Sequence, residues 1–452
     1  MSEYYPFVLK RFILPIAGII RGMPVQKCLK EMEERESWLP EQIREFQLLR
    51  LRELITHSYE TVPYYHELFD NSGLQPSDIE SLEDLTKIPF LTKEIIRKNL
   101  SSLISRSFDS QKLIMDFSSG STGEPLKFLY STKENALKWA SFYRGWKWAG
   151  YDFGTKTFIV WGNYAAITGQ TNLLGRLKNT LLRVKYFNAF DLQREAIPRA
   201  LDGIMRYRPS VIYGYSSALY IIAKYMEEKN IHLSNTRAVI TTSETLHQKW
   251  RELIQKHFNC KVYDNYGVEG AVVAQECEEG GLHLNADNCI VEFLPIGGGL
   301  NKIVVTNLNN YAMPFIRYDV KDVGIPSDRK CSCGRGLPLI EAIEGRMPDL
   351  LVTSSGKYLT HNFFIFLFES MEEIDQFQVI QEKLDEIVVK IVPNEKFKET
   401  NFSHIKNAIQ KHVRPDVRVM INIVPAIPPA KSGKRRFVIS KYMESLNRTG
   451  QI

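Results

Sequence analysis

The chain has 452 residues but only six cysteines, too few to staple a fold of this length with disulfides. It also lacks a membrane-spanning run. The apolar stretch near the start, Phe12 to Ile20, has nine residues, where a spanning helix needs roughly 20. A secretory leader is one reading, but it lacks a clear small-residue cleavage site. A packed terminal segment is the favoured reading, ahead of a membrane-surface anchor. Charge of one sign is scarce as well. The 58 basic and 52 acidic residues leave a formal charge of +6. That surplus is small for the length and gives no reason to expect a nucleic-acid partner, though it suits an anionic ligand. No internal repeat or low-complexity tract is present. What is present is ordinary for a folded protein, 44% hydrophobic and 24% charged residues. The length calls for two or more domains.

Residues 25–60 are charged and carry a helical period, with Leu48, Leu49, Leu51 and Leu54 as an apolar stripe, and Pro63 breaks the helix. SLEDLTKIPFLTKEIIRKN predicts a turn into a helix capped by Thr92. KTFIVWG, SVIYGY, AVITTSE and CKVYDNYG are short β-rich runs, separated by helical stretches such as ALYIIAKYMEEKN and HQKWRELIQKHF. This alternation predicts an α/β architecture with a mostly parallel sheet. From about residue 290 the strands are expected to shorten into a smaller β unit. Beyond GRMPDLLVTSSGKYLT, the run EIVVKIVP, a helix near 401–413 and VRVMINIVPAIP predict a small α+β domain. The expected division is therefore 1–345 and 346–452.

KLIMDFSSGSTGEPLKFLYST sets two β-like runs around Ser118, Ser119, Gly120, Ser121, Thr122 and Gly123. Glycine-permitted turns with exposed N–H groups and hydroxyls can wrap phosphate oxygens. The GxxxxGK[ST] pattern of a Walker loop is absent, and a plain Ser/Gly hairpin turn is the competing reading. SSGSTGEP resembles the phosphate loop of the adenylate-forming superfamily of acyl-CoA ligases. In order after it, TTSETL resembles the adenine-pocket segment, YDNYGVEGA the aromatic-glycine-x-glutamate motif, and RYDVKDVG the ribose-binding motif. EGRMPDLL resembles the hinge and PPAKSGKRRFVIS the terminal lysine motif. LLRLRELITHSYETVPYYHELF and LEDLTKIPFLTKEIIRKN look like one branch, the phenylacetate–coenzyme A ligases and their capsule-biosynthesis relatives.

The resemblance implies a large α/β domain, a mobile C-terminal domain hinged near Asp349, and ATP with Mg²⁺ as cofactors. Ser118 to Gly123 would hold the leaving phosphates. Ser243, Glu244, Asn265, Tyr266 and Gly267 would form the adenine pocket, with Tyr266 stacking on the base. Glu269 would bind Mg²⁺, a hard cation that seeks oxygen. Asp322 would accept hydrogen bonds from the ribose, and Arg346 would lie near ribose and phosphate. Lys434 would bridge the α-phosphate and the carboxylate as a compact point charge. Each of these residues has an ordinary alternative: a core aromatic, a surface acid, a turn residue, a solvated basic turn. One departure stands out. Many relatives carry lysine after the second glycine of the loop, where this chain has Glu124.

Cys277 and His283, with Cys331 and Cys333, offer soft ligands suited to tetrahedral Zn²⁺. Cys-x-Cys is tighter than the usual spacing, so reduced thiols are the alternative. The recurrence of such cysteines in phenylacetate–coenzyme A ligase-like sequences favours a structural zinc. Cys28, Cys260 and Cys289 are expected to be buried thiols. Tyr213, Tyr215 and Ser216 would lie near the acyl pocket. The implied reaction activates a small-molecule carboxylic acid or sugar acid, then passes it to coenzyme A, or to an amine in surface-polysaccharide assembly. A non-catalytic nucleotide-binding protein is the rival from another class. ATP chemistry favours a cytoplasmic setting, with peripheral contact at the inner membrane face through the N-terminal segment.

Overall fold

Prolines divide the helical N-terminal region. The computed structural model describes residues 4–118, 126–162, 173–192, 195–347, 350–353, 358–359, 363–364, 367–368, 371–413, 417–428 and 436–448. The helix expected over 25–60 is two helices, Val25–Arg35 and Pro40–Thr61. Proline forces the residue before it out of the helical region and is itself at home in a first turn. Leu39 is accordingly extended and Pro40 opens the second helix. The same device at Val62 and Pro63 opens Pro63–Ser72, which Gly73 ends with φ +63°. Of the expected stripe, Leu51 and Leu54 are buried whereas Leu49 faces solvent. Thr92 does cap Lys93–Lys98, accepting from the Ile95 N–H at 3.3 Å.

The strands are β1 (Ile114–Phe117), β2 (Lys127–Tyr130), β3 (Thr157–Trp161), β4 (Val184–Asn188), β5 (Val211–Tyr215), β6 (Ala238–Thr242), β7 (Lys261–Val268), β8 (Ala271–Glu276), β9 (Leu282–Leu284), β10 (Cys289–Gly297), β11 (Leu300–Asn307), β12 (Tyr318–Ser327) and β13 (Leu339–Arg346). β1 and β2 form an antiparallel pair. The other eleven make one sheet in the order β10-β11-β12-β13-β9-β8-β7-β6-β5-β3-β4. Its β4-β3-β5-β6-β7 part is parallel. β5 and β6 are buried at every position, as parallel strands between two covering layers must be. One layer uses Leu201 and Ile204, Leu219 and Ile222, and Ile254 and Phe258, from the helices Ile197–Tyr207, Ser216–Glu228 and Gln248–Phe258. The other includes Leu9, Met32, Ala136, Ala140 and Trp146. The α/β class is as expected, but the sheet is mixed rather than mostly parallel, since β7-β8, β8-β9 and β9-β13 pair antiparallel.

The strands after 290 do not shorten. β10, β11 and β12 have nine, eight and ten residues, against five in β3, β5 and β6. Their polar residues break the apolar run in the sequence, yet they fall on partly exposed positions of strands buried unevenly along their length.

The chain forms two compact units. One comprises 1–292, 304–320 and 327–341, the other 293–303, 321–326 and 342–452. In the second, strands β14 (Ile374–Lys383), β15 (Glu386–Pro393), β16 (Arg418–Ile423) and β17 (Val438–Ser440) form a sheet in the order β16-β15-β14-β17. The helix Glu399–His412 packs Ile405 and Ile409 into a core shared with Val379, Ile387, Val389 and Val438. This is the α+β arrangement expected of the C-terminal region. Asp349 lies outside the described residues.

Candidate nucleotide site and metal centre

The ladder of β1 and β2 closes the base of the glycine-rich loop. Ser118 N–H donates to the Leu126 carbonyl, and the Leu126 N–H donates to Ser118 Oγ, both at 2.9 Å. Ser119, Gly120, Ser121, Thr122 and Gly123 lie outside the described residues, as does Lys434.

In the first unit, the adenine-pocket candidates sit where β6 and β7 end. β6 and β7 are paired up to Thr242 and Asn265. Ligands of open α/β sheets bind beyond such carboxyl ends. Ser243 turns the chain there with φ +68°, an uncommon conformation for a residue with a side chain. Glu244 then reaches back to the helix Ser216–Glu228. Its Oε2 accepts from Ser217 N–H at 2.9 Å, and its carbonyl accepts from Ser216 Oγ at 3.1 Å. Glu244 Oε1 and Asn265 Nδ2 are buried without a hydrogen-bond partner among the described residues. An orphaned buried polar atom costs about 1–3 kcal/mol, so this acceptor and donor fit a ligand that supplies the missing partners. Tyr213 and Tyr215, also in this unit, flank Trp161, whose ring centroid lies 5.5 and 4.4 Å from theirs. Tyr266 pairs with Ala274 across β7 and β8, and a bulge follows at Gly267.

Glu269 and Gly270 make the two-residue turn between β7 and β8, both with positive φ, +23° and +82°. Such turns match the twist of the strands they join. A Cβ on Gly270 would come within 2.8 Å of the Phe128 ring, so this position requires glycine. The turn leaves the Glu269 side chain only 8% exposed and sets Oε1 3.3 Å from Lys93 Nζ. Lys93 follows the Thr92 cap, and Leu91 is tied to the start of β12 through Arg317 and Asp319. Reading the sequence singled out Glu269 but not Lys93. The signal was the capped TKE turn, which aims a lysine without showing at what.

In the second unit, Asp322 Oδ1 lies 3.6 Å from Arg346 Nε. The two residues assigned to ribose and phosphate are therefore neighbours, on β12 and β13. Lys321, just before Asp322 on β12, has φ +64°.

The cysteine cluster assembles in the first unit. Cys277 directly follows β8, His283 lies in β9, and Cys331 and Cys333 precede β13. β9 pairs with both β8 and β13, which brings together residues about 50 apart in sequence. One ligand atom from each of the four lies within 4.8 Å of all the others. Cys277 Sγ is 3.5 Å from Cys331 Sγ, and Cys333 Sγ is 3.2 Å from His283 Nε2. A tetrahedral zinc with bonds of about 2.0–2.3 Å has edges of roughly 3.3–3.8 Å, so the residues fit the ion. His283 Nδ1 is 2.8 Å from the Leu337 carbonyl. That contact fixes the proton on Nδ1 and leaves Nε2 as a ligand, as second-shell partners of zinc histidines do. A Cβ on Gly281 would sit 2.7 Å from Cys331 Sγ, so the approach of the two loops depends on a glycine. Arg335 clamps the corner, bonding Glu36 and Glu278 while its guanidinium lies over Trp148. Of the remaining thiols, Cys28 and Cys289 are buried as expected, but Cys260 is only half-buried.

A family model described as CapK C-terminal domain matches residues 351–441. Protein CapK of Staphylococcus aureus is 25% identical over 445 residues, covering 97% of this chain and 98% of its own. A phenylacetate–coenzyme A ligase of Thermus thermophilus is 26% identical over 386 residues, covering 80% and 84%. The chain is a relative of CapK and the phenylacetate–coenzyme A ligases. Among solved structures, 2-hydroxyisobutyryl-CoA ligase in its postadenylation state superposes with a TM-score of 0.74 at 19% identity, over 93% of this chain and 94% of that one. The fold of this CapK relative is that of the adenylate-forming ligases.

Proposed function

We propose that the chain is an ATP-dependent, AMP-forming ligase that makes an acyl-adenylate from a carboxylic acid and then transfers the acyl group to coenzyme A. The observation that carries this reading is the orphan pair at the ends of β6 and β7. Glu244 Oε1 is an unused acceptor and Asn265 Nδ2 an unused donor. Adenine offers the complement, an exocyclic amine and ring nitrogens.

In the first step a carboxylate oxygen attacks the α-phosphorus. The new C–O–P linkage forms as the bond to pyrophosphate breaks. Both reactants are anions, so the site must neutralise and align them. Ser118 anchors the phosphate loop, and Asp322 beside Arg346 accepts from the ribose hydroxyls. Mg²⁺ held by Glu269 would supply charge neutralisation on the phosphates. Lys93, next to Glu269, supplies a cation in a site whose loop has Glu124 where relatives carry lysine. Lys434 contributes its charge mainly in the transition state. Four protein ligands at the Cys/His corner would close a zinc coordination sphere, so a zinc there is structural.

The test is pyrophosphate exchange across a panel of carboxylic acids. Lys434→Ala should lower the exchange rate by roughly 10²-fold or more, with ATP binding and melting temperature retained. Unimpaired exchange in that variant removes Lys434 from the chemistry. Absence of exchange with every acid returns the chain to a nucleotide-binding role. A second reading keeps the same first step and passes the acyl group to an amine, such as that of a sugar. Offering the trapped adenylate coenzyme A and amines in competition separates the two.

A further inference from the structure

The first seventeen described residues form a helical run, Tyr4–Val8, Leu9–Ile13 and Leu14–Ile20, whose middle turn is a π-helix. The run is held onto the first unit. Leu9 is fully buried among Met32, Tyr151 and Phe153, with Tyr5, Ile13 and Leu14 packed alongside. Tyr5 Oη donates to the Leu181 carbonyl at 2.6 Å, and Lys10 pairs with Asp152 at 3.0 Å.

The opposite side is apolar and bare. Val8, Phe12, Ile16 and Ile20 recur every four residues, flanked by Phe7 and Ile19. Ile19 and Ile20 are 81% and 79% exposed. Six of the fourteen exposed large hydrophobic residues in the described chain fall between 7 and 20. An exposed apolar cluster of this density marks an interaction surface.

Charge identifies the partner. Residues 4–30 contain no acid, and besides Lys10, which Asp152 pairs, they include Arg11 and Arg21. The neighbouring helix Leu173–Leu181 carries Arg176 and Lys178, again without an acid. Burial first, and the charge of Arg21 among the further causes, hold the Lys178 ammonium below its ordinary range, so these cations share one neighbourhood. Leu177 on that helix is also exposed. No described helix is long and apolar enough to cross a membrane.

We propose that this face docks flat on an anionic lipid bilayer, with the Phe12–Ile20 stripe at the acyl boundary and the arginines and lysines at the headgroups. A helix with an apolar stripe and a cationic flank is the physical signature of interfacial binding. Each nearby basic residue adds attraction to anionic lipid. A second copy of the chain fits worse, because a two-fold contact would set this basic face against itself. The proposal stands apart from the ligase reading, since it concerns where the enzyme sits and not what it catalyses.

The experiment is co-sedimentation of the full chain with vesicles of phosphatidylcholine alone, or of phosphatidylcholine with about a third phosphatidylglycerol. The chain should bind the anionic vesicles about tenfold or more tightly than the neutral ones, and lose that preference in high salt. Ile19→Glu combined with Ile20→Glu should cut anionic-vesicle binding by about tenfold or more, with an unchanged melting temperature because both side chains face solvent. No binding to anionic vesicles overturns the proposal, as does binding that the double variant leaves unchanged. Light scattering gives a further way to fail. A mass of two chains that falls to one in the double variant would assign the face to a second copy.

Discussion

At the Cys/His corner the polar side chains are engaged with one another. His283 faces Leu337 with one nitrogen and Cys333 with the other, Cys277 faces Cys331, and Arg335 bridges Glu36 and Glu278. At the ends of β6 and β7, in the same unit, Glu244 and Asn265 each keep a buried polar atom without a partner. The first arrangement is complete within the chain. The second is complete only when something else arrives. Groups that close on each other hold a structure together, whereas orphaned groups spend stability on readiness to bind. The two regions should therefore fail in different ways when disturbed.

The largest expected effect is at the Cys/His corner. Protein purified without added metal, with its thiols kept reduced, should contain about one zinc per chain. Chelation or Cys331→Ser should cost several kcal/mol of stability, seen as a lower melting temperature, while chains that remain folded keep their adenylation rate. Less than about 0.2 zinc per chain excludes a structural site of ordinary affinity. A variant that loses adenylation but melts normally would erase the contrast between the regions.

The next effect is on nucleotide binding. Asp322→Ala should remove charge-assisted hydrogen bonds worth about 1.5–3 kcal/mol each, weakening ATP binding by one to two orders of magnitude in calorimetry. Asp322 is buried, 3.6 Å from the partly exposed Arg346, so the melting temperature of the variant is measured alongside, to separate lost binding from lost folding. An unchanged affinity for ATP refutes the ribose assignment.

Much of the fold was legible because periodicity and punctuation agree. The five-residue apolar runs that become β3, β5 and β6 sit between helical stretches, and Pro63 and Thr92 mark real boundaries. The long strands after 290 read as short runs in the sequence, because their polar residues look like breaks. The metal corner was legible only as residue types. Its geometry depends on β9 pairing with β8 on one side and β13 on the other, a long-range register that spacing does not encode. Glu269 was recognisable in its motif, yet Lys93 beside it was not, since an ion pair between residues 176 apart leaves no local trace. Glu244 was expected in the adenine pocket. That one of its oxygens caps the helix Ser216–Glu228 and the other is left over needed coordinates.

The smallest effect sharpens the comparison at Asp264, the neighbour of Asn265 on β7. Its Oδ1 accepts from Thr241 Oγ1 at 2.8 Å and from the Asn265 N–H at 3.1 Å. Across the ladder lies Glu276, which accepts from the Asp264 N–H at 2.7 Å and pairs with Arg251. Burial first, and the Glu276 charge second, push the Asp264 carboxyl up to about 6 from an ordinary 3.8. The native state thus holds this proton more tightly than the unfolded chain does. The stability it contributes is full below the unfolded value and is lost as pH rises through about 6. Above that pH the ionised group works against folding. Asp264→Asn keeps the accepting oxygen and cannot ionise, so it should remove this slope. At neutral pH the variant should match or exceed the parent, by on the order of 1 kcal/mol. Chemical denaturation at a series of pH values from about 4 to 8 measures it. Parallel profiles for parent and variant would mean that Asp264 carries no such burden. A variant that loses its slope would make it, with Glu244 and Asn265, a third polar group at the nucleotide end kept at a cost to stability.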